Sequence, residues 1–267
     1  MPATRRWLAA GLAAAVGGWS WMSALTRGDA APLAEAAGPV QAATRPVNPV
    51  NLEAWLRSMT LEEKAGQVVM AGFPGTRAGP EARTLVESYH VGGVVLFQRN
   101  VEGPEQLARL INDLQAMARA AGARIPLLVA ADQEGGLVVR LGSWATIFPG
   151  NMALGATGSA ELAYQAGYHT GRELRAVGIH MNLAPVLDVN NNPENPVIGV
   201  RSFGEDPQLV ARLGVAFLRG LQDAGVAATG KHFPGHGDTR IDSHLALPTI
   251  AHPRARLDRV ELVPFRA

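Results

Sequence analysis

The densest group of chemically active side chains in this 267-residue sequence lies in residues 231–244. The segment contains one lysine, three histidines and two aspartates: Lys231, His232, His236, Asp238, Asp242 and His244. Pro234, Gly235 and Gly237 prevent a continuous helix or strand, so a loop is predicted. Histidine changes its protonation state near neutral pH, and a neighbouring carboxylate stabilises its charged form, which suits such a pair for general acid/base chemistry. The alternative is a polar crossover loop without a catalytic role.

Alternating strands and helices are predicted to position this loop. Short apolar runs predict five buried strands, at residues 68–73, 92–97, 126–131, 181–189 and 226–231. Apolar residues at helical spacing predict helices at residues 52–59, 81–90, 104–121, 161–177 and 207–224. A capping-box pattern from Thr60 to Glu63 predicts one more helix start. The alternation is typical of a parallel α/β sheet, and it leaves open both a doubly wound sheet and the first five units of an eight-stranded barrel.

Polar residues follow several of the predicted strands. The third strand is followed by Asp132, Gln133 and Glu134. The fourth carries Asp188 near its end, and the fifth ends at Lys231. Ligands bind at the carboxyl edge of parallel α/β sheets, where the ends of neighbouring strands meet. We therefore expect this edge and the loop to form one site.

The composition excludes several classes of protein. Hydrophobic residues make up 47% of the chain and charged residues 18%, with a net charge of +1, which is typical of a folded globular domain. Without a run rich in Lys and Arg, nothing indicates nucleic-acid binding. Cysteine is absent, which excludes disulfides, zinc thiolates and a lipid-modified amino-terminal cysteine.

The amino-terminal segment differs in character from the rest. Arg5 and Arg6 precede an apolar run that extends to Leu25, which predicts an export signal of the twin-arginine type. An uncleaved membrane anchor is the alternative, since the run approaches the roughly 20 residues that span a bilayer. The predicted organisation is an export signal in residues 1–30, a flexible linker in 31–50 and a folded domain in 51–267. The expected location is the periplasm, the cell envelope or the extracellular space.

The motifs of the folded domain resemble those of a known family. Lys-His-Phe-Pro-Gly-His-Gly-Asp-Thr followed by Asp-Ser-His, in residues 231–244, resembles glycoside hydrolase family 3 in its β-N-acetylhexosaminidase branch. Further similar motifs occur in the same order: Gly-Gly-Val-Val-Leu-Phe at 92–97, Asp-Gln-Glu-Gly-Gly at 132–136, Ala-Pro-Val-Leu-Asp-Val at 184–189 and Arg-Ser-Phe at 201–203. The resemblance covers residues 51–267.

The resemblance implies a fold, an activity and a set of site residues. The fold is a TIM (β/α)₈ barrel, of which this chain carries about five units. The activity is removal of terminal β-linked N-acetylglucosamine with retention, from peptidoglycan or chitin-type fragments, without a metal or organic cofactor. The implied acid/base dyad is Asp242 and His244. The implied ligands of the sugar hydroxyls and N-acetyl group are Asp132, Arg140, Arg201, Lys231 and His232.

The dyad also has support from chemistry alone. Retaining hydrolysis needs a group that donates a proton to the leaving oxygen and later removes one from water, a task suited to histidine. Asp242 stands two residues before His244, and in an extended segment both side chains project to the same side, so the carboxylate orients the ring. A purely structural pair is the alternative.

Each implied sugar ligand has a structural alternative too. Asp132 could cap the turn that follows it. Arg140 and Arg201 could form ion pairs between loops. Lys231 and His232 could hydrogen-bond within the core. Three further residues are predicted to have structural roles: His236, Asp238 and Asp188.

The chain departs from the family in one respect. A retaining enzyme needs a nucleophilic carboxylate, which the resemblance places after a seventh strand, and the sequence contains patterns for five. We expect a truncated member whose nucleophile lies beyond Ala267, with exposed sheet edges and no activity of the isolated chain. Two other classes stay open: a sugar-binding relic, and a metallohydrolase using His232, His236, Asp238 and His244. The natural glycan and the oligomeric state are not determined by the sequence.

Overall fold

The computed structural model describes residues 52–122 and 124–267. Five parallel strands form one sheet in the order β1-β2-β3-β4-β5. The strands are β1 Met70–Ala71, β2 Gly93–Leu96, β3 Leu128–Ala131, β4 Met181–Asn182 and β5 Ala227–Ala228. The longest pairing, between β2 and β3, runs in register from Gly93 and Leu128 to Leu96 and Ala131. Within the described residues β1 and β5 do not pair with each other, so the sheet is open.

The strand order decides between the two predicted architectures. A doubly wound sheet reverses its strand order at a switch point, whereas a barrel adds each strand beside the one before it. Here every strand pairs with its neighbour in sequence. The prediction of about five β/α units of a (β/α)₈ barrel is therefore confirmed, and the doubly wound alternative is wrong.

Helices connect and flank the strands. They are α1 Leu52–Ser58, α2 Leu61–Gln67, α3 Pro80–Arg83, α4 Pro104–Ala120, α5 Asn151–Thr157, α6 Ala160–Ala176, α7 Pro207–Asp223, α8 Arg254–Leu257 and α9 Val263–Arg266. A π-helical turn at Thr84–Ser88 continues α3, so the predicted helix at 81–90 is only partly α-helical. The capping box that opens α2 is confirmed: Thr60 Oγ1 accepts from the Glu63 amide at 3.2 Å, and the Thr60 amide donates to the Glu63 carboxylate at 2.8 Å.

The strands are shorter than predicted. The fourth was expected at 181–189, but its ladder ends at Asn182, two residues before the Ala184–Pro185 peptide bond. Proline lacks an amide hydrogen and cannot donate to a sheet ladder. Beyond it, only a single bridge between Val186 and Lys231 continues the pairing with the fifth strand. The apolar residues of this segment are still buried, which explains the overlong prediction.

The two longest helices after β3, α6 and α7, pack closely because glycines face the contact. A Cβ atom on Gly167 of α6 would lie 2.2 Å from the backbone oxygen of Phe217 in α7. A Cβ on Gly220 of α7 would lie 2.2 Å from the backbone oxygen of Tyr164. Both helices also bury apolar side chains in the core, among them Leu174, Leu213 and Phe217. The chain after α7 enters β5 and then the loop at 231–244.

No helix in residues 52–122 and 124–267 combines the length and apolar character needed to cross a bilayer. The predicted export signal at 1–30 and linker at 31–50 lie outside the described residues.

Candidate active site

Lys231 and Asp132 meet at the carboxyl edge of the sheet. Asp132 directly follows β3. Lys231 lies beside the segment that follows β4, where the Leu187 amide donates to the Lys231 carbonyl at 2.6 Å. The Lys231 Nζ donates to Asp132 Oδ1 at 2.7 Å, although 99 residues separate the two in sequence. Both predicted sugar ligands are thus brought together, and the Lys231 ammonium lies in a charged cluster rather than in the apolar core.

Glu134 is the buried centre of this cluster. Its side chain is 2% exposed, and Lys231 Nζ lies 2.6 Å from Glu134 Oε1. Arg201 donates to both carboxylate oxygens, from Nε at 2.9 Å and from Nη2 at 2.8 Å. Burial acts to raise the pKa of Glu134, but the hydrogen bonds and charges of Arg201 and Lys231 outweigh it and hold the pKa below its ordinary value. The hydrogen bonds that Arg201 donates to Glu134 in turn raise the pKa of Arg201.

No role was predicted for Glu134, although it stands two residues after Asp132. Side chains two residues apart point to the same side of an extended segment, and this spacing could have indicated that Glu134 lies beside Asp132. Its partner Arg201 is 67 residues away in sequence, so no local pattern links the two. For Arg201 the ion-paired alternative is observed, and its contact with a sugar is untested.

Arg140 lies at the open side of the cluster. Its Nη2 is 4.0 Å from Asp132 Oδ2, and its backbone amide donates to Gln133 Oε1 at 2.7 Å. Its Nε is buried and has no hydrogen-bond partner within the described residues. The Arg140 side chain as a whole is 27% exposed, so a ligand can reach the guanidinium group from solvent.

Asp188 holds the start of the loop. Its side chain is fully buried, Oδ2 lies 2.6 Å from His232 Nδ1, and Oδ1 accepts from the backbone amides of His232 at 3.1 Å and His236 at 2.7 Å. The predicted structural role of Asp188 agrees with these contacts. Because Nδ1 of His232 is engaged, Nε2 is the ring nitrogen available to a ligand.

Asp242 and His244 form the predicted pair. His244 Nδ1 lies 2.6 Å from Asp242 Oδ1, and the His244 backbone amide donates to the same oxygen at 2.9 Å. These hydrogen bonds, the backbone one first, lower the pKa of Asp242 and keep it ionised. The His244 side chain is 78% exposed, so its outer nitrogen, Nε2, is accessible to a substrate.

The pair forms by a different geometry from the one predicted. An extended segment was expected to place both side chains on one side. Instead the chain turns here, with the amides of Leu245 and Ala246 donating to the Asp242 carbonyl at 3.0 and 3.2 Å. The Asp242 carboxylate also caps the His244 amide, as aspartate commonly does in turns. The extended geometry is therefore wrong, although the contact that it predicted is present.

The four residues of the metallohydrolase alternative are not assembled. His232 pairs with Asp188, His244 pairs with Asp242, and His236 Nδ1 lies 2.6 Å from Thr239 Oγ1. Asp238 contacts His252, which was not in the predicted set. Among the residues that the structure describes, the only group of three side chains spaced for a metal contains Asp238 and none of the three predicted histidines.

Comparison with known proteins identifies relatives over most of this chain. Residues 60–267 match the family model of the glycosyl hydrolase family 3 N terminal domain. Beta-hexosaminidase A of Pseudoalteromonas piscicida is 44% identical over 194 residues, which are 71% of this chain and 32% of that protein. Beta-hexosaminidase of Alkalilimnicola ehrlichii is 42% identical over 204 residues, which are 74% of this chain and 57% of that protein.

A solved structure agrees with the sequence matches. The glycoside hydrolase family 3 beta-N-acetylglucosaminidase from a Paenibacillus species is 60% identical and superposes with a TM-score of 0.76, over 78% of this chain and 39% of that one. The chain thus spans between 32% and 57% of the length of these three relatives. Since the family model covers most of the chain and the sheet has the sequential parallel order of a barrel, this protein belongs to glycoside hydrolase family 3 and carries its N-terminal domain.

Proposed function

We propose that this chain contributes the sugar-binding and acid/base part of a retaining β-N-acetylhexosaminidase. The expected substrates are peptidoglycan or chitin-type fragments that end in N-acetylglucosamine. Relatives named beta-hexosaminidase and beta-N-acetylglucosaminidase support the substrate class. An exported enzyme, as proposed from Arg5 and Arg6, would meet such glycans in the cell envelope.

The observation that carries the proposal is the hydrogen bond between Asp242 and His244. With Nδ1 bound to the carboxylate, Nε2 of His244 is the nitrogen that exchanges protons with the substrate. It would first donate a proton to the glycosidic oxygen as the leaving group departs, and then accept one from the attacking water. The ionised Asp242 stabilises the imidazolium form that must exist before the first step.

The charged cluster at the sheet edge supports sugar binding. Asp132 can accept hydrogen bonds from sugar hydroxyls, while Lys231 and the guanidinium group of Arg140 can donate to sugar oxygens. Glu134 and Asp188 do not need to touch the sugar. They hold the cationic and imidazole groups in fixed positions, which reduces the conformational entropy lost on binding.

The nucleophile is proposed to come from outside residues 1–267. Retaining hydrolysis needs a carboxylate about 5 Å from the acid/base group, and every carboxylate of the cluster is already assigned to binding or positioning. The isolated chain is therefore expected to bind the sugar without turning it over.

The test is hydrolysis of an aryl N-acetyl-β-glucosaminide by the protein recovered from the cells that produce it. Proton NMR of the first-formed sugar should show the β anomer, because two successive displacements retain the configuration. The purified 267-residue chain is the matched comparison and should give no turnover. First-formed α anomer would contradict retention, and turnover by the isolated chain would contradict an external nucleophile.

A sugar-binding relic is the second candidate. The intact cluster of Asp132, Lys231 and Arg201 favours it as much as it favours the enzyme, since that cluster binds without catalysing. Saccharide binding by calorimetry without any turnover, in the protein recovered from its own cells, would decide for the relic.

A further inference from the structure

Three side chains that no catalytic role uses meet at the base of the loop that carries Asp242 and His244. Asp238 precedes residues 239–251, His252 follows them, and Glu261 comes shortly before α9. One potential ligand atom from each residue lies within 4.8 Å of the other two. His252 Nε2 and Asp238 Oδ2 are 2.5 Å apart, so the two ends of the loop are already joined here.

Glu261 is the unusual member of the group. Its side chain is 3% exposed, and Oε1 accepts from Arg256 Nη2 at 3.3 Å. Its Oε2 is buried and has no hydrogen-bond partner in the described part of the chain. A buried carboxylate oxygen without a partner is costly, because it has lost its water and gained nothing in return.

Local packing holds Glu261 in this position. A Cβ atom on Gly235 would lie 2.8 Å from the Glu261 Cβ, so the close approach depends on a glycine. Gly235 also has a φ of 133°, which few other residues adopt. The Glu261 side chain is therefore packed against Gly235 rather than free to rotate into solvent.

The charges of the group are unbalanced. Asp238 and Glu261 carry two negative charges, and the neighbouring Arg256 supplies one positive charge when His252 is neutral. A divalent cation would change the net charge of the group from −1 to +1 and would give Glu261 Oε2 a partner. One imidazole nitrogen and two carboxylate oxygens form a ligand set that suits Zn²⁺, with a water in the fourth position.

We propose that Asp238, His252 and Glu261 bind one Zn²⁺ and that the ion ties together the two ends of the loop at residues 239–251. Neutral His252 changes tautomer, so that its one ring proton lies on Nδ1, and binds the metal through Nε2. Tetrahedral coordination at about 2.1 Å brings ligand atoms to about 3.4 Å from one another, which requires small side-chain movements. The site is structural and distinct from the Asp242 and His244 pair, so it does not depend on the proposed catalysis.

The test is isothermal titration of the purified, metal-free chain with zinc chloride. One Zn²⁺ per chain should bind. His252→Ala and the isosteric Glu261→Gln should each weaken binding by at least about ten-fold. His244→Ala is the matched control, because it removes an exposed histidine from the same loop, and it should leave binding unchanged.

Limited proteolysis provides a second readout. Zinc should slow cleavage within residues 239–251 in the unsubstituted chain and in His244→Ala, but not in Glu261→Gln. The proposal is overturned if the unsubstituted chain does not bind zinc, or if Glu261→Gln and His252→Ala bind it as tightly as the unsubstituted chain does. It is also overturned if His244→Ala loses binding, which would assign the metal to the Asp242 and His244 pair.

Discussion

Glu134 is the residue on which the most charged contacts of the site converge. Lys231 and Arg201 both contact its carboxylate, and Lys231 also contacts Asp132. Lys231 and Arg201 offset the negative charges of Asp132 and Glu134, which lowers the free-energy cost of burying them. Removal of the Glu134 charge would leave Arg201 without its carboxylate partner and Lys231 with Asp132 alone.

Glu134→Gln is therefore expected to destabilise the domain. Loss of one partner from a buried ion pair costs about 3–5 kcal/mol of unfolding free energy. Urea unfolding at pH 7 measures this, with Glu53→Gln as the control, since that side chain is 83% exposed and forms a surface pair with Arg57. The control should change stability by less than about 1 kcal/mol. Equal stability of the two variants would contradict the central role of Glu134.

The same residue predicts a pH dependence. The folded pKa of Glu134 lies below the ordinary value of 4.5. A group with a lowered folded pKa contributes its full stability above the unfolded pKa and loses it as the pH falls through the folded value. The stability difference between the unsubstituted chain and Glu134→Gln should therefore be constant above about pH 5.5 and shrink below pH 4.5. A difference that grows in acid would contradict this assignment.

At the level of elements, the contact between α6 and α7 aligns the chain before the loop at residues 231–244. Gly167 and Gly220 let the two helix backbones touch, and α7 leads directly into β5 and Lys231. The position of the loop thus depends on a helix contact that involves no polar site residue. This contact was not predicted, because a glycine within a helical pattern carries no information about the partner that it faces.

Gly167→Ala should destabilise this contact. Alanine improves helix propensity by up to about 1 kcal/mol, but its Cβ would lie 2.2 Å from the Phe217 carbonyl oxygen, and overpacking commonly costs about 1–3 kcal/mol. We expect a lower melting temperature by a few degrees. Gly103→Ala, where a Cβ atom meets nothing within 4 Å, is the control for overpacking, and it should cost only the preference for glycine over alanine at the N-cap of α4, less than about 1 kcal/mol. A stabilised Gly167→Ala would show that the helices separate easily.

Sequence patterns predicted the elements better than their exact pairing. Apolar periodicity identified α4, α6 and α7 to within a few residues, because burial of one helix face produces that periodicity. The strand at 181–189 was overestimated, since its residues are buried without joining the ladder. The helix α5 was missed because its short, glycine-containing segment lacks an apolar stripe.

In the site, contacts between residues close in sequence were predicted and contacts between distant segments were not. Asp242 and His244 are neighbours in sequence, so their contact was predicted, although the turn that forms it was not. The contacts of Glu134 with Arg201 and of His252 with Asp238 depend on how separate segments meet in the fold. Residue types alone could not reveal them.

For the whole molecule, the open sheet is the dominant feature. Five sequential parallel strands form part of a barrel, and within the described residues β1 and β5 each have one side without a strand partner. A closed barrel has no such edges. The proposed sugar cluster and dyad both lie after strands of this sheet, so one open part of a barrel holds both of them.

The measurement that tests the central claim most directly is the leaving-group dependence of His244→Ala in the protein recovered from its own cells. With a poor leaving group, hydrolysis should slow by at least about 100-fold, because departure then requires proton donation. With a good leaving group such as a nitrophenolate, cleavage of the glycosidic bond should slow by less than about ten-fold. His169→Ala, which changes an exposed histidine of α6, should leave both rates unchanged. Equal losses with both leaving groups would contradict His244 as the general acid.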